Sequence, residues 1–321
     1  MSDTGSLETE PLAQAGRPAR SSPITARVPE RAAASVKPAA TFLIVCLLLS
    51  RAAVAVAQQP LVAPAPPAPE FFTRFDFHLT AAWLGDSPPT ITAPAVPPLS
   101  PSAAALYAAA HRYSFDTHWG GSLDFLDYVL GRTSFIIDYE ALIGDEFRLF
   151  DPNQAIYTLE VSSSVRVGYD SEVVGVFHHV SRHLSDRANR QAVAWNAAGV
   201  RWLKQYSRQT TTLDVDAELT RVVARAFVDY NWIGELGLSL RHPLNGRVAV
   251  FAQGAGRLFT VDGSVPNRGT QTGGVAEAGI RLRGTGGVLE LFAGVEKRVD
   301  AYELEREPER WVLAGFRLLS R

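Results

Sequence analysis

Three polar residues alternate along one short stretch of this chain. They are His179, Ser181 and His183, within Val176-Phe177-His178-His179-Val180-Ser181-Arg182-His183-Leu184-Ser185-Asp186. A serine hydroxyl becomes a nucleophile when an imidazole takes its proton and an acceptor orients that imidazole. Spacing of two puts all three on one face of an extended strand. They oppose Val174, Val176 and Val180, so the polar set is expected on the watery side of that strand. A two-residue turn at Asp170-Ser171 sets Tyr169 opposite Glu172. Antiparallel pairing then brings Glu160 opposite Ser181, and Ser162 opposite His179. The candidate catalytic set is therefore His179, Ser181 and Glu160, clustered within reach of one another. The competing reading is a polar network without chemistry, since His-x-Ser has only two fixed positions. His179 and His183 lie four apart, roughly 13 Å along a strand, and His178 and His179 point to opposite faces. No metal and no cofactor is expected.

The elements that must position these residues follow from a period of two. Phe75, Phe77, Leu79, Ala81 and Trp83 oppose Asp76, His78 and Thr80. Tyr157, Leu159, Val161, Val165 and Val167 oppose Thr158, Glu160, Ser162, Ser164 and Arg166. Such alternation reads as half-buried strands. It recurs over 74–84, 113–126, 133–144, 155–169, 172–184, 191–207, 210–221, 232–242, 247–259, 274–283, 287–298 and 310–320. On the sixth of these, Arg201 or Lys204 breaks either choice of apolar face. Long connections (85–112, 145–154, 185–190, 222–231, 260–273, 299–309) alternate with short ones such as Asn245-Gly246 and Gly284-Thr285-Gly286, which supply tight-turn backbone. The fold class is all-β: an antiparallel up-and-down transmembrane barrel of about twelve strands, with short periplasmic turns and long outside loops.

In such a barrel ionisable residues belong in the lumen, because an Arg or Lys facing lipid costs about 2–4 kcal/mol near the midplane. The expected lumen lining is Asp116, His118, Asp138, Glu140, Arg166, Asp214, Asp216, Glu218, Arg241, Glu277 and Arg281, with Glu160, Arg257 and His78 beside them.

Ala39 to Ala57 is the only long apolar stretch, preceded by Arg31 and Lys37 and ended by Ala55-Val56-Ala57. A basic flank, a short apolar core and a small-x-small end describe a secretory signal peptide. The expected organisation is a signal peptide with an extended N-region over 1–57, a Pro-rich periplasmic lead-in over 58–73, and the barrel over 74–321. A short helical turn is expected at Ser102 to His111. The 321 residues carry 31 basic and 33 acidic side chains and one Cys, so nucleic acid, a disulfide framework and a thiolate-rich metal site are all excluded. Cleavage after Ala57 would remove the Cys and leave a mildly acidic mature chain.

The strand patterning over 74–320 resembles Gram-negative outer-membrane β-barrel proteins. The last strand, Trp311 to Arg321, is similar to the closing strand such barrels present for assembly, though it ends in Ser-Arg rather than an aromatic residue. The stretch Val176 to Asp186 resembles the His/Ser-rich strand end of an uncharacterised envelope-protein family. The His179-x-Ser181 pair also resembles outer-membrane lipid A deacylases. That resemblance implies His179 as base and Ser181 as nucleophile, with a lipid-facing site; the family's acid position corresponds here to Val193. The resemblances imply the bacterial outer membrane as location. Outer-membrane lipid and lipopolysaccharide and the barrel-assembly machinery are the expected partners, with no nucleic acid, and a monomer is expected. The leading functional expectation is a structural protein or a narrow small-solute channel with a charged lumen. The alternative is a barrel-embedded lipid esterase or deacylase using His179 and Ser181.

Overall fold

Alternating apolar and polar residues let a strand face lipid on one side and water on the other, and twelve such strands close on themselves here. The computed structural model describes residues 62–86, 112–146, 148–184, 193–302, 304 and 306–320. The signal-peptide stretch and the helical turn expected at 102–111 lie outside the described residues.

The strands are β1 (Glu70–Asp86), β2 (Phe115–Asp127), β3 (Arg132–Gly144), β4 (Asp151–Gly168), β5 (Ser171–Leu184), β6 (Val193–Arg208), β7 (Thr211–Ala226), β8 (Tyr230–Pro243), β9 (Val248–Val261), β10 (Gln271–Arg283), β11 (Val288–Tyr302) and β12 (Glu307–Leu319). Each pairs antiparallel with its sequence neighbours, and β1 pairs with β12 to close the barrel. Closure satisfies the backbone without leaving an edge, as a spanning β structure must. At the seam, the Ser320 backbone N–H donates to the Phe77 carbonyl, and its Oγ accepts from the Phe77 N–H at 2.7 Å. The polar residue near the C-terminus thus extends the β1–β12 ladder.

The outer face carries exposed Phe77, Trp83, Ile137, Val161, Phe177, Leu219, Leu236, Leu238, Leu240, Leu291 and Val312. So continuous an apolar surface is untenable in water and is what hydrocarbon requires. The chain is an all-β outer-membrane barrel. Its lumen is lined by arginines paired with carboxylates, several of them bridging two strands. Arg201 meets Glu160 and Glu218 at 2.7 Å, and Arg317 meets Glu277 and Glu290 at 2.9 Å. Buried charges are tolerated only when paired and hydrogen-bonded, as these are. In strands this crowded, Gly279 is required: a Cβ there would collide with the Leu291 carbonyl.

Several boundaries differ from the sequence expectation. β1 starts at Glu70, so the last residues assigned to the lead-in already belong to the barrel. Its first described residues enter the end of the barrel where the short turns lie. Val62, 5% exposed, packs on Val174, Val176 and Leu203, while the Ala63 N–H donates to Glu172 and its carbonyl accepts from Arg166. Two connections expected to be long shrink to 227–229 and 303–306, because β7 and β11 continue past their apolar alternation. At the loop end, Asp300 adopts φ 47° beside a register break in β11. This turns Val299–Ala301 inward across the barrel mouth. The Asp300 carbonyl accepts from Arg182 on the opposite wall at 2.7 Å, and the Ala301 carbonyl accepts from Gln154 at 2.6 Å.

Candidate functional site

Glycine, serine and histidine tolerate either side of a barrel wall, so register decides which face they take. The β4–β5 pairing sets Glu160 opposite His178, Leu159 opposite His179 and Tyr157 opposite Ser181. This corrects the expected register, in which Glu160 faced Ser181. A break between Arg166 and Gly168 shifts the ladder by an odd number of residues, and an odd shift exchanges faces. Val174 and Val176 point inward, where they cover Val62. Reading those valines as lipid-facing was the source of the error: the lead-in creates a small apolar patch inside an otherwise charged lumen.

His179, Ser181 and His183 therefore stand on the outer, lipid-facing wall, and Glu160 does not join them. Glu160 faces the lumen, where it accepts from Arg201 at 2.9 and 2.7 Å and lies 3.4 Å from His178. The catalytic set expected from sequence is thus divided by the wall itself.

On the outer face a different partner appears. β6 pairs with β5 so that Asn196 lies opposite His179. His179 Nδ1 lies 2.6 Å from Asn196 Oδ1. An amide oxygen only accepts, so Nδ1 carries the proton and Nε2 is left as the basic nitrogen. Ser181 Oγ lies 2.7 Å from His183 Nε2. Among the described residues this is the one Ser–His hydrogen bond. Arg201 on β6 faces the lumen and Lys204 the outside, where its ammonium meets Asp170 at 2.5 Å near the Tyr206 ring. That resolves the ambiguous faces of β6 and places Asn196 outward.

The height of the site is marked by aromatic rings. Trp119, Tyr139 and Tyr157 are directly paired across β2, β3 and β4, and Tyr157 is opposite Ser181. Successive ring centroids are 5.3 and 5.0 Å apart, and the Tyr157 ring meets His183 edge to face at 5.4 Å. Trp and Tyr favour the membrane–water boundary. Trp119, Tyr139 and Tyr157 stand about four, five and six residues in from the loop ends of β2, β3 and β4, so the row and Ser181 lie on the outer half of the wall.

The expected lumen residues occupy a second constellation. Asp138 is held by His78 at 2.8 Å and His118 at 3.2 Å. Arg298 bonds both Asp116 and Glu140. Arg166 pairs with Asp127, Arg241 with Asp214, Arg281 with Glu290, and Glu218 with His178. Asp216 lies 3.7 Å from Arg201, and Gln253 donates to Glu277 at 2.8 Å. Asp138, Glu140, Asp216 and Glu277 line a cavity of about 690 Å³. Asp116, His118 and Glu140 have ligand atoms within 4.8 Å of one another, and the Arg298 guanidinium bonds both carboxylates. Sequence reasoning missed Arg132, Arg201, Arg298 and Arg317 as lumen cations; each lies at the inward parity of its strand. It also missed Asn196, for which only its place on the strand after His-x-Ser was a signal.

No family model and no curated protein matches the chain. Among solved structures it is similar to outer membrane phospholipase A from Escherichia coli, in an active-site mutant form, with 14% identity over 81% of this chain and 93% of that one and a TM-score of 0.44. It is also similar to LpxR from Salmonella typhimurium, with 11% identity, 76% and 99% coverage and a TM-score of 0.40. The P. putida toluene transporter TodX gives 11% identity, 83% and 94% coverage and a TM-score of 0.35. What the chain shares with them is the barrel fold.

Proposed function

We propose that this barrel is an ester hydrolase acting on outer-membrane lipid, with its site on the lipid-facing wall. One observation carries the reading: His179 is oriented by Asn196, with Ser181 two residues along the same outward face. Polar groups turned toward lipid are expensive unless they serve a purpose. Ester linkages of membrane lipids lie near the interface, the level marked by Trp119, Tyr139 and Tyr157.

In the reaction, His179 Nε2 takes the Ser181 hydroxyl proton as Oγ bonds to the ester carbonyl carbon. The carbonyl π electrons move to oxygen. On collapse the carbon–oxygen bond to the lipid alcohol breaks, and that alkoxide takes the proton from His179. A water molecule then attacks the acyl-serine by the same proton path, releasing fatty acid and restoring Ser181. Asn196 holds the ring so that Nε2 remains the base.

The test is ester hydrolysis in mixed lipid–detergent micelles by the folded barrel. We expect Ser181→Ala to remove turnover without changing heat-modifiable gel mobility. Equal hydrolysis by wild type and Ser181→Ala refutes the reading.

The lumen cavity favours a second reading, a structural barrel or narrow solute passage. Val62–Ala63 and Val299–Ala301 bridge its two ends, so planar-bilayer recordings of wild type are expected to show no steady conductance under this account. A steady, reproducible conductance favours the passage.

A further inference from the structure

Ser181 stands between two imidazoles on one face, and they are held differently. His179 is fixed through Nδ1 by Asn196 at 2.6 Å, and the Ser181 hydroxyl instead bonds His183 at 2.7 Å. Among the described residues, no side chain orients His183 through its Nδ1; its ring rests against the edge of Tyr157. A base in acyl transfer needs both a bond to the nucleophile and an orienting partner. Here those two requirements fall on different histidines.

We propose that His183 is a positioning residue that holds Ser181 in a resting orientation, pointed away from His179, and that lipid docking on Tyr157 releases it. The inference rests on the hydrolase reading above and goes beyond it by making the enzyme dependent on a lipid surface. Residues i and i+2 share a strand face, so rotation about the Ser181 Cα–Cβ bond turns Oγ from His183 toward His179 without backbone movement. Tyr157 is directly opposite Ser181 and is 42% exposed on the outer wall. An acyl chain lying along that ring competes for the face against which His183 is packed. When the His183 contact is lost, the hydroxyl has His179 Nε2 as its remaining basic neighbour, and the proton path is complete. The closed state protects a nucleophile that sits permanently in a membrane rich in esters.

The experiment compares the rate at which a fluorophosphonate probe labels Ser181 in lipid-free detergent micelles and in micelles containing phospholipid. Labelling forms the Ser181 Oγ–phosphorus bond and expels fluoride, with the serine proton taken by the base. Wild type is expected to label slowly without lipid and faster with it. His183→Ala is expected to label about tenfold faster than wild type without lipid, the worth of one hydrogen bond, and to lose most of the lipid effect. His183→Gln, whose amide can again bond Ser181, is expected to restore the slow lipid-free rate while keeping turnover on lipid. His179→Ala is expected to abolish labelling in both conditions. If His183→Ala and His183→Gln both abolish labelling while His179→Ala retains it, His183 is the base and the resting-lock proposal is wrong. If wild type is never labelled and hydrolyses no ester, the hydrolase reading fails and takes this proposal with it.

Discussion

At the scale of single residues, the site depends on which atom of an imidazole is free. The Asn196 amide oxygen leaves His179 Nε2 basic, so Asn196→Ala is expected to lower kcat on lipid ester by about 100-fold or more with little change in KM, because general-base catalysis is worth about 100- to 10,000-fold. Asn196→Asp is expected to retain activity, since a carboxylate accepts from the same Nδ1–H. Steady-state kinetics on the two folded variants checks this; full activity in Asn196→Ala contradicts it. The His-x-Ser pair was legible in the sequence because its chemistry needs only two residue types. Its orienting partner was not. Glu160 was the obvious acid by composition, yet it lies on the opposite side of the wall, bonded to Arg201. An amide on the following strand carries no charge and no spacing signature, so only the β5–β6 register reveals it.

At the scale of elements, the strands were readable and their faces nearly so. Twelve strands follow from alternation alone, and the closed antiparallel order agrees with them. The failure at β5 has a physical cause. Alternation assigns apolar residues to lipid, and Val174 and Val176 are apolar because Val62 sits inside the lumen against them. The ends of β7 and β11 were missed because a register shift at Val223 and another between Arg298 and Tyr302 interrupt the period of two there. Strand-to-strand staples give a stability test. Arg298 bonds Asp116 and Glu140 on other strands, and Glu296 on its own. Arg298→Met leaves three buried carboxylates short of their cation and is expected to destabilise the barrel by about 3–5 kcal/mol. The readout is the midpoint of the heat-induced gel shift, and an unchanged midpoint contradicts it.

At the scale of the whole molecule, the barrel has a charged lumen lined by ion pairs and an apolar outer surface that carries His179, Ser181 and Asn196. Its lumen carries more carboxylates than arginines, and each arginine is paired with at least one of them. The lead-in packs against the inner wall. Val62→Asp places a charge against Val174, Val176 and Leu203 and is expected to lower the unfolding midpoint relative to Val62→Ala; equal midpoints contradict the packing. The central claim concerns the outside of the barrel: a serine facing lipid is a nucleophile. Its most direct test is the intact and peptide mass of the folded, phospholipid-bound protein after fluorophosphonate treatment. The account predicts a single adduct on Ser181 that heat-denatured protein does not acquire. Folded protein that remains unmodified, or an adduct formed equally by denatured protein, contradicts it.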